Sequence, residues 1–404
     1  MKQIAGGVCA ATGFSASGVH CGIRKNKTKR DLALIYSSVP ASAAAVYTTN
    51  LVKGAPLVVT KQHLADGKAQ AIICNSGNAN TCNADGVEKA AKMCQLVADE
   101  MGLPAEQVLV ASTGVIGQVL PIEPIITAVP TLVKELDYGK NEEAATAIMT
   151  TDTVKKEYAV EFQLDGKTCR LGGMAKGSGM IHPNMATTLN FISTDCAISA
   201  KMLQQALREI VKVTYNCLSI DGDTSTNDMV EIMASGLAGN AEITAPGPAL
   251  DTFKAALYDV MANLTRMLAK DGEGASKLLE CVCSGAPTKD TAIIVAKEVI
   301  GSTLFKCAMF GEDANWGRVL CAIGYAPAEF DIDKVDVALK STAGTVTVCQ
   351  NGAGVDFSEE EAAKVLAEDE IYILVDLNQG DEKATAWGCD LTYDYVKING
   401  DYRT

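Results

Sequence analysis

Residues 174–191 read MAKGSGMIHPNMATTLNF, and this stretch sets the interpretation of the whole chain. Its glycines permit positive φ angles, and its proline predicts a turn directly in front of Ala186-Thr187. A small residue before a β-hydroxyl residue, at the end of a constrained loop, is what a self-cleaving peptide bond requires. Cleavage would make Thr187 a new N-terminus, where a hydroxyl nucleophile and an α-amine base share one residue.

The composition limits the classes of protein that fit this chain. It has 404 residues, of which 48% are hydrophobic, and a formal net charge of −14. These values are typical of a globular protein, and the length predicts two or three domains. The negative charge argues against nucleic acid or an anionic membrane as a partner. No signal-peptide or membrane-spanning segment is evident, so we expect a cytoplasmic protein.

The cysteines and histidines were considered as metal ligands. The 14 cysteines are scattered in apolar segments, which predicts buried, reduced thiols rather than disulfides. Cys281 and Cys283 are close in sequence, and on a strand both thiols would point to one face. Because the chain has only three histidines, further ligands are scarce, and we expect no metal site.

Strand-like and helix-like segments interleave without a strict β–α–β rhythm. This pattern favours a layered α+β fold over a doubly wound parallel sheet. Apolar spacing predicts a helix over 86–104, a helix and then a short strand over 197–223, and a helix over 248–274. Strands are predicted at 31–38, 43–50, 69–80 and 107–117, and in the tail segments KVDVALK, GTVTVCQNG, EIYILVDLN and KATAWGCDLTYDYVKING.

Three other motifs compete for the chemistry. GGMAKGSG (172–179) contains glycines and a lysine but lacks the residue order of a phosphate-binding loop. His182 lies near Ser178, but a catalytic triad needs side chains that converge from separate segments. NSGNAN (75–80) and DGDTSTND (221–228) are rich in turn-forming polar residues, which suit either turns and helix caps or the walls of a polar site.

With these motifs in view, the chain resembles the ornithine acetyltransferase (glutamate N-acetyltransferase) family of arginine biosynthesis from end to end. KGSGMIHPNMATTL is similar to the family's autoproteolysis motif, KGSGMI-x-PNMATML, with Thr188 in place of the motif's third methionine. Further similar blocks are GFSASGVHCGIR, ASTGVIG, IMTTDT, DGDTSTND, DGEGASK, GEDANWGR and YVKINGDYRT. The resemblance implies the layered α+β fold of self-processing aminopeptidases, which is related in logic to N-terminal-nucleophile hydrolases but separate in topology.

The resemblance also implies an activity. The precursor would be cut between Ala186 and Thr187 into an alpha chain, 1–186, and a beta chain, 187–404, and two copies of each would form a heterotetramer. Thr187 would take the acetyl group of N2-acetyl-L-ornithine and pass it to L-glutamate in a ping-pong cycle. No cofactor is implied. No residue decides whether acetyl-CoA is a second acetyl donor, which would make the enzyme multifunctional.

The matching motifs carry the family's site residues onto this chain. Thr113 and Gly114 in ASTGVIG match the oxyanion-hole pair, where a hydroxyl and a backbone N–H bind the developing oxyanion. Lys176 and Glu273 match substrate contacts of opposite charge, which suit an amino acid that carries both charges. The other matched substrate contacts, besides Thr187 itself, are Thr150, with Thr151 beside it as an alternative, Asn399 and Thr404.

Two rival functions remain open at this point. An N-terminal-threonine aminopeptidase or amidase would use the same nucleophile and pass the acyl group to water. A non-catalytic metabolite-binding protein would never cleave. ASTGVIG and YVKINGDYRT favour the transferase. Thr188 offers a second hydroxyl, but the preceding Ala186 and the family's register favour Thr187 as the nucleophile.

Overall fold

Two separate β-sheets organise the chain in the computed structural model, which describes residues 1–24, 26–182 and 188–401. The strands are β1 (Lys2–Ile4), β2 (Phe14–Val19), β3 (Leu32–Tyr47), β4 (Lys68–Asn75), β5 (Val108–Ser112), β6 (Lys156–Leu164), β7 (Lys167–Lys176), β8 (Leu189–Thr194), β9 (Leu218–Ser219), β10 (Met229–Ala234), β11 (Leu278–Ala286), β12 (Asp336–Ser341), β13 (Gly344–Gln350), β14 (Ala353–Gly354), β15 (Glu370–Asp376) and β16 (Glu382–Cys389).

Helices are interspersed with these strands along the chain. They are α1 (Ala55–His63), α2 (Gly86–Met101), α3 (Glu123–Lys134), α4 (Asn141–Ala147), α5 (Ala200–Lys212), α6 (Pro248–Lys270), α7 (Lys289–Gly301), α8 (Thr303–Phe310), α9 (Trp316–Gly324), α10 (Glu359–Leu366) and α11 (Tyr393–Gly400). This mixture of sheets and helices confirms the predicted layered α+β class. Among the described residues, no helix is both long enough and apolar enough to cross a membrane.

The described residues fall into two compact units. The first unit comprises those within Met1–Gly177, Asn184–Lys212 and Thr224–Leu264. The second comprises those within Ser178–Pro183, Val213–Asp223 and Thr265–Thr404. The first unit takes described residues from both sides of the predicted cleavage point, so structural units and predicted alpha and beta chains are different divisions of the sequence. The division into chains 1–186 and 187–404 stays a prediction.

The sheet of the first unit is mixed in direction. Its order is β1-β6-β7-β8-β10-β3-β4-β5, and β2 pairs with β3. Two neighbouring pairs, β4 with β5 and β8 with β10, are parallel, and the other pairs are antiparallel. Successive side chains on a strand point to opposite faces, so Ile72 and Ile73 enter different apolar clusters. The sheet is therefore packed on both faces.

A single strand replaces two predicted ones in this sheet. Segments 31–38 and 43–50, predicted as separate strands, belong to the continuous strand β3. Its pairing with β4 shifts register between Tyr36 and Ala41, and Pro40 lies inside that irregularity. Because proline has no N–H to give to a ladder, it is accommodated where the pairing is already interrupted.

The parallel pair β4 and β5 positions two polar loops. Helix α2 connects the two strands, and Gly102, in the left-handed conformation with φ 67°, ends that helix as predicted. Asn75 at the end of β4 lies opposite Ser112 at the end of β5. The loops that follow, NSGNAN and ASTG, therefore leave the sheet at the same edge.

The second unit is built on a sheet of order β14-β13-β12-β15-β11-β16-β9. Helix α7 follows β11, and the Thr288 side chain caps its first turn by accepting from the Thr291 N–H. The predicted terminal strand over 383–400 is wrong in its second half. Strand β16 ends at Cys389, and residues Tyr393–Gly400 form helix α11.

Candidate active site

Three of the predicted site residues lie outside the described part of the chain. These are Ala186 and Thr187, at the predicted cleavage point, and Thr404. The other predicted residues are described, and they fall into two groups, one in each unit. The first unit carries Thr113, Gly114, Thr150 and Lys176, and the second carries Glu273 and Asn399.

The turn after β5 holds the predicted oxyanion donors. Gly114 has φ 128°, and a Cβ atom at this position would lie 2.7 Å from the Gly77 carbonyl carbon and 2.8 Å from the Asn78 nitrogen. Glycine is therefore required, both for the dihedral angle and for the close approach of the two loops. Among the described residues, neither the Gly114 N–H nor the Thr113 hydroxyl donates a hydrogen bond, so both donors are available.

Two asparagines hold this turn in place. The Asn75 carbonyl accepts from the Thr113 N–H at 2.9 Å, and the Asn75 side chain donates to the Ser112 hydroxyl at 2.7 Å. From the other polar loop, the Asn227 side chain donates to the carbonyls of Ser112 at 2.9 Å and Ala79 at 2.6 Å. NSGNAN and DGDTSTND, whose role the sequence left open, therefore act here as walls of the ASTG turn.

Lys176 reaches the same turn from the end of β7. Its ammonium donates to Thr113 Oγ1 at 3.2 Å, and only 9% of the residue is exposed. Burial lowers the pKa of Lys176 below its ordinary value, while the nearby carboxyl groups of Asp152 and Asp228 oppose that shift. The structure thus brings together two residues, 113 and 176, that the sequence could link only through the family resemblance.

A buried carboxylate, missed at the sequence level, joins the segments of Thr150 and Lys176. Asp152 accepts from Lys156 Nζ at 2.6 Å, from the Gly177 N–H at 2.8 Å and from the Thr150 N–H at 2.9 Å. Burial by itself would raise the pKa of Asp152, but the two lysine ammonium groups outweigh it and hold the pKa at about 2. Asp152 is therefore a carboxylate at neutral pH.

Thr188, the alternative hydroxyl, directly precedes β8, a strand inside the first sheet. Its Oγ1 accepts a hydrogen bond from the Asn190 side chain, and its carbonyl accepts from the Met229 N–H at 3.1 Å. The residue is buried. These contacts give Thr188 a structural role at the start of β8, and the choice of Thr187 as the nucleophile stays a prediction.

In the second unit, Glu273 and Asn399 are direct partners. The Asn399 side chain donates to Glu273 Oε2 at 2.7 Å, and the Glu273 N–H donates to the Ser178 carbonyl at 2.8 Å. A Cβ atom on Gly179 would collide with the Glu273 carboxylate. The glycine-rich segment therefore allows this carboxylate to lie against the backbone, and helix α11 supplies its amide partner.

Asp221, also missed at the sequence level, anchors the same segment of the second unit. It accepts from the backbone N–H groups of Met180 at 2.6 Å and Ile181 at 2.8 Å, and from the Tyr395 hydroxyl at 3.2 Å. Met180 has φ 57°, which is uncommon for a residue with a side chain. The two backbone bonds to Asp221 stabilise that conformation directly upstream of the predicted cleavage segment.

The rival motifs do not assemble a site. The Ser178 hydroxyl donates to the Asp271 carbonyl, and His182 Nδ1 lies 3.0 Å from the Ser219 hydroxyl, so the two residues that a triad would require have different partners. Among the described residues, no three His, Cys, Asp or Glu side chains form a group that could hold a metal ion. The prediction of buried thiols is wrong for three cysteines, which are exposed: Cys82, Cys307 and Cys321.

The whole chain is similar to proteins of known family. The family model described as the ArgJ family matches residues 15–404. The arginine biosynthesis bifunctional protein ArgJ of Caldanaerobacter subterraneus subsp. tengcongensis is 49% identical over 405 residues, and the match covers 100% of each chain.

Two solved structures are also similar to this chain. The arginine biosynthesis bifunctional protein argJ of Bacillus halodurans is 44% identical with a TM-score of 0.49, and the match covers 52% of this chain and 97% of that one. An ornithine acetyltransferase of Mycobacterium tuberculosis, crystallised with ornithine, is 40% identical with a TM-score of 0.43, and the match covers 46% of this chain and 99% of that one.

Proposed function

The chain belongs to the ArgJ family, and on this premise we propose that it transfers the acetyl group of N2-acetyl-L-ornithine to L-glutamate. It is an acyltransferase of arginine biosynthesis. The observation that carries the proposal is the ASTG turn, where Thr113 and Gly114 keep two hydrogen-bond donors available and the Lys176 ammonium lies beside them. Such a turn suits the oxyanion of acyl transfer.

Self-cleavage would create the nucleophile. Thr187 Oγ attacks the Ala186 carbonyl carbon, the peptide C–N bond breaks, and the acyl group passes from nitrogen to oxygen as an ester. Water then hydrolyses that ester. Chain 1–186 then ends in a new carboxylate and stays with chain 187–404, in which Thr187 keeps its hydroxyl and gains a free α-amine. An α-amine has an ordinary pKa of about 7.7–8.0, so it can accept a proton near neutral pH.

Acetyl transfer then follows in two half-reactions. Thr187 Oγ attacks the acetyl carbonyl of N2-acetyl-L-ornithine while the α-amine takes the hydroxyl proton, and the C–N bond breaks as that proton passes to the leaving amine. The acetyl ester remains on Thr187 until the amine of glutamate attacks its carbonyl, when the ester C–O bond breaks, N-acetylglutamate forms and a proton from the attacking amine restores the Thr187 hydroxyl. In each step Thr113 and Gly114 would hydrogen-bond the oxyanion, each contributing roughly 3–4 kcal/mol.

The substrate contacts are assigned on the family resemblance and on chemistry. Lys176 has an ammonium that suits an amino acid's carboxylate, and Glu273 has a carboxylate that suits an ammonium. Thr150 is grouped with Lys176 because its backbone N–H donates to Asp152. Asn399 is grouped with Glu273 because its side chain donates to the Glu273 carboxylate. Thr404 is assigned as a further contact. For the two residues outside the described part, Thr187 and Thr404, the assignment rests on the resemblance alone.

Several finer points of the proposal extend the sequence-level expectations. No cofactor is needed, because the acetyl group comes from one substrate and goes to another. Acetyl-CoA is proposed as a second acetyl donor because the relatives that match along the whole chain are named bifunctional. The cleaved chains would assemble as two alpha and two beta chains, and the enzyme would act in the cytoplasm.

Cleavage can be tested with a matched pair of variants. Wild-type protein should give two chains, 1–186 and 187–404, on a denaturing gel and by intact mass. Thr187→Ala should stay as one chain because it lacks the attacking hydroxyl, whereas Thr188→Val, which removes the neighbouring hydroxyl, should still cleave. Cleavage of Thr187→Ala, or a Thr188→Val protein that stays uncut while folded, would contradict the proposed nucleophile.

Following the fate of the acetyl group distinguishes the proposed transferase from the rival aminopeptidase or amidase. With N2-acetyl-L-ornithine and glutamate present, we expect N-acetylglutamate to form in step with ornithine release. Release of ornithine with free acetate, at the same rate with or without glutamate, would favour an amidase. Replacing the donor by acetyl-CoA in the same assay decides whether the enzyme has the second activity.

A further inference from the structure

The hydrogen bond between Lys176 and Thr113 has a fixed direction. An ammonium carries three donors and no acceptor, so Lys176 Nζ donates and Thr113 Oγ1 accepts. The hydroxyl proton of Thr113 must then point elsewhere. Among the described residues no acceptor lies within hydrogen-bond distance of that proton, although the residue is 9% exposed. Within the part of the chain that the structure describes, the Thr113 hydroxyl proton is thus without an acceptor, which makes it available to a substrate oxyanion.

The positive charge on Lys176 strengthens the hydrogen bond that the Thr113 hydroxyl can donate with its own proton. A hydroxyl whose oxygen accepts from a cation becomes polarised and is a stronger donor through its own proton, because hydrogen bonds in a chain reinforce one another. The effect is largest where water is excluded, and both residues are buried. Lys176 would thereby act on the same oxyanion as Thr113 without touching it.

Asp152 fixes the lysine in position. Its side chain has no exposed surface, and it accepts from the Gly177 N–H, the residue that follows Lys176. Lys156, equally buried, pairs with it at 2.6 Å and keeps the carboxylate charged. The carboxylate is also a negative neighbour that favours the ammonium form of Lys176.

From these contacts we infer that Lys176 is a positioning residue for the oxyanion hole, directing and polarising the Thr113 hydroxyl, and that Asp152 holds Lys176 in that role. The inference rests on the proposed function and goes beyond the substrate contact assigned to Lys176. One ammonium proton goes to Thr113, and the other two remain for a substrate carboxylate. No covalent step is added, because Thr113 donates a hydrogen bond and keeps its proton.

A carboxylate-free acetyl donor separates the two roles of Lys176. p-Nitrophenyl acetate offers a carbonyl for the oxyanion hole and no carboxylate for an ammonium. We expect Lys176→Met, in which the Asp152–Lys156 pair is kept, to slow enzyme acetylation by this ester about tenfold, with Lys176→Arg closer to wild type. The matched control is Lys155→Met, at a half-buried lysine that pairs with Glu142 and Glu157, and it should acetylate at the wild-type rate. An unchanged rate for Lys176→Met would overturn the inference.

A double-mutant cycle provides a second readout on the natural donor. At saturating N2-acetyl-L-ornithine, Thr113→Val should slow acetylation by roughly 100-fold. Adding Lys176→Met should slow it less than about threefold further, because the hydroxyl through which Lys176 acts is gone. If the rate losses of Thr113→Val and Lys176→Met multiply in full in the double variant, the inference is contradicted and Lys176 is a substrate contact only.

The Asp152 part is tested through the pH profile. The groups that act on the Lys176 charge are Asp152, Asp228, Lys156 and Cys74. Without the Asp152 carboxylate the pKa of Lys176 falls further, so in Asp152→Asn the alkaline limb of ester acetylation should move to lower pH. An alkaline limb that stays in place would refute this part.

These experiments distinguish a failure of the proposed function from a failure of the inference about Lys176. If wild-type protein is uncut or forms no acetyl-enzyme, the function fails first. If wild type acetylates normally and Lys176→Met reacts with the ester at the same rate, only the inference fails. If Asp152→Asn does not fold, the ester assay and the cycle still decide the role of Lys176, because neither changes Asp152.

Discussion

Two buried carboxyl groups of the first unit, Asp152 and Glu231, have opposite surroundings. Asp152 accepts from three partners, whereas neither carboxyl oxygen of Glu231 has a hydrogen-bond partner among the described residues. Burial raises the pKa of Glu231 to about 8, while the lysines beside Asp152 overcome burial and hold its pKa at about 2. Equal burial therefore gives a charged group in one place and a neutral group in the other.

The neighbours of Glu231 explain the difference. On β10 it lies between Met229 and Met233 on the face of the sheet that enters an apolar cluster, and its pairing partners are Ala45 and Phe191. The titratable groups near it are Tyr47, Cys74 and Cys94, whose pKa values are raised by burial first and by Glu231 second, so they are neutral acids that cannot compensate a negative charge. Partners, rather than depth, decide whether a buried acid is ionised.

The largest effect on stability is expected from breaking the Asp152 pair. Asp152→Asn removes the carboxylate that pairs with the buried Lys156 ammonium, which should reduce the free energy of unfolding by about 3–5 kcal/mol. The double variant Asp152→Asn/Lys156→Met removes both charges, so its free energy of unfolding should fall clearly less than that of Asp152→Asn. Urea unfolding in the uncut Thr187→Ala background measures both, because one chain then unfolds as a unit. Equal losses for the single and the double variant would contradict the pairing argument.

A smaller effect of opposite sign is expected at Glu231. Glu231→Leu removes an unpartnered carboxyl from an apolar cluster, so it should raise the free energy of unfolding by roughly 2–4 kcal/mol at pH 8.

The gain in the free energy of unfolding should depend on pH. The folded pKa of about 8 exceeds the ordinary 4.5, so the folded state holds the proton more tightly, and stability is lost as pH rises from about 4.5 through 8. Unfolding curves at pH 5, 7 and 8.5 measure this. A Glu231→Leu variant with the wild-type pH slope would show that Glu231 is partnered after all.

The sequence was informative where a pattern is local. Helix α2 could be predicted with its end at Gly102, because helical spacing and a left-handed stop are both visible in 86–104. The terminal segment misled because alternating aromatic and polar residues resemble a strand, while Tyr393–Gly400 is a short helix preceded by Thr392, which donates to the Gly274 carbonyl. Short segments carry too little periodicity to decide between the two.

The candidate site was predictable only in part. The residue types of Thr113, Gly114 and Lys176 could be assigned by resemblance, but their mutual geometry depends on the long-range pairings that place β4, β5 and β7 in one sheet. Asp152 contacts Gly177, 25 residues further along the chain, and no spacing rule predicts that bond. Glu231 was equally invisible, because a single charged residue in the run MVEIMA reads as an outward position until the packing is known.

The central claim is that Thr187 becomes the N-terminal nucleophile and carries the acetyl group. Wild-type enzyme is mixed with N2-acetyl-L-ornithine without glutamate, quenched in acid, and analysed by intact mass and peptide mapping. We predict that chain 187–404 gains the mass of one acetyl group, that the group maps to Thr187, and that glutamate removes it. Acetyl transfer to glutamate by an uncut chain, or with the acetyl group on another residue, would contradict the account.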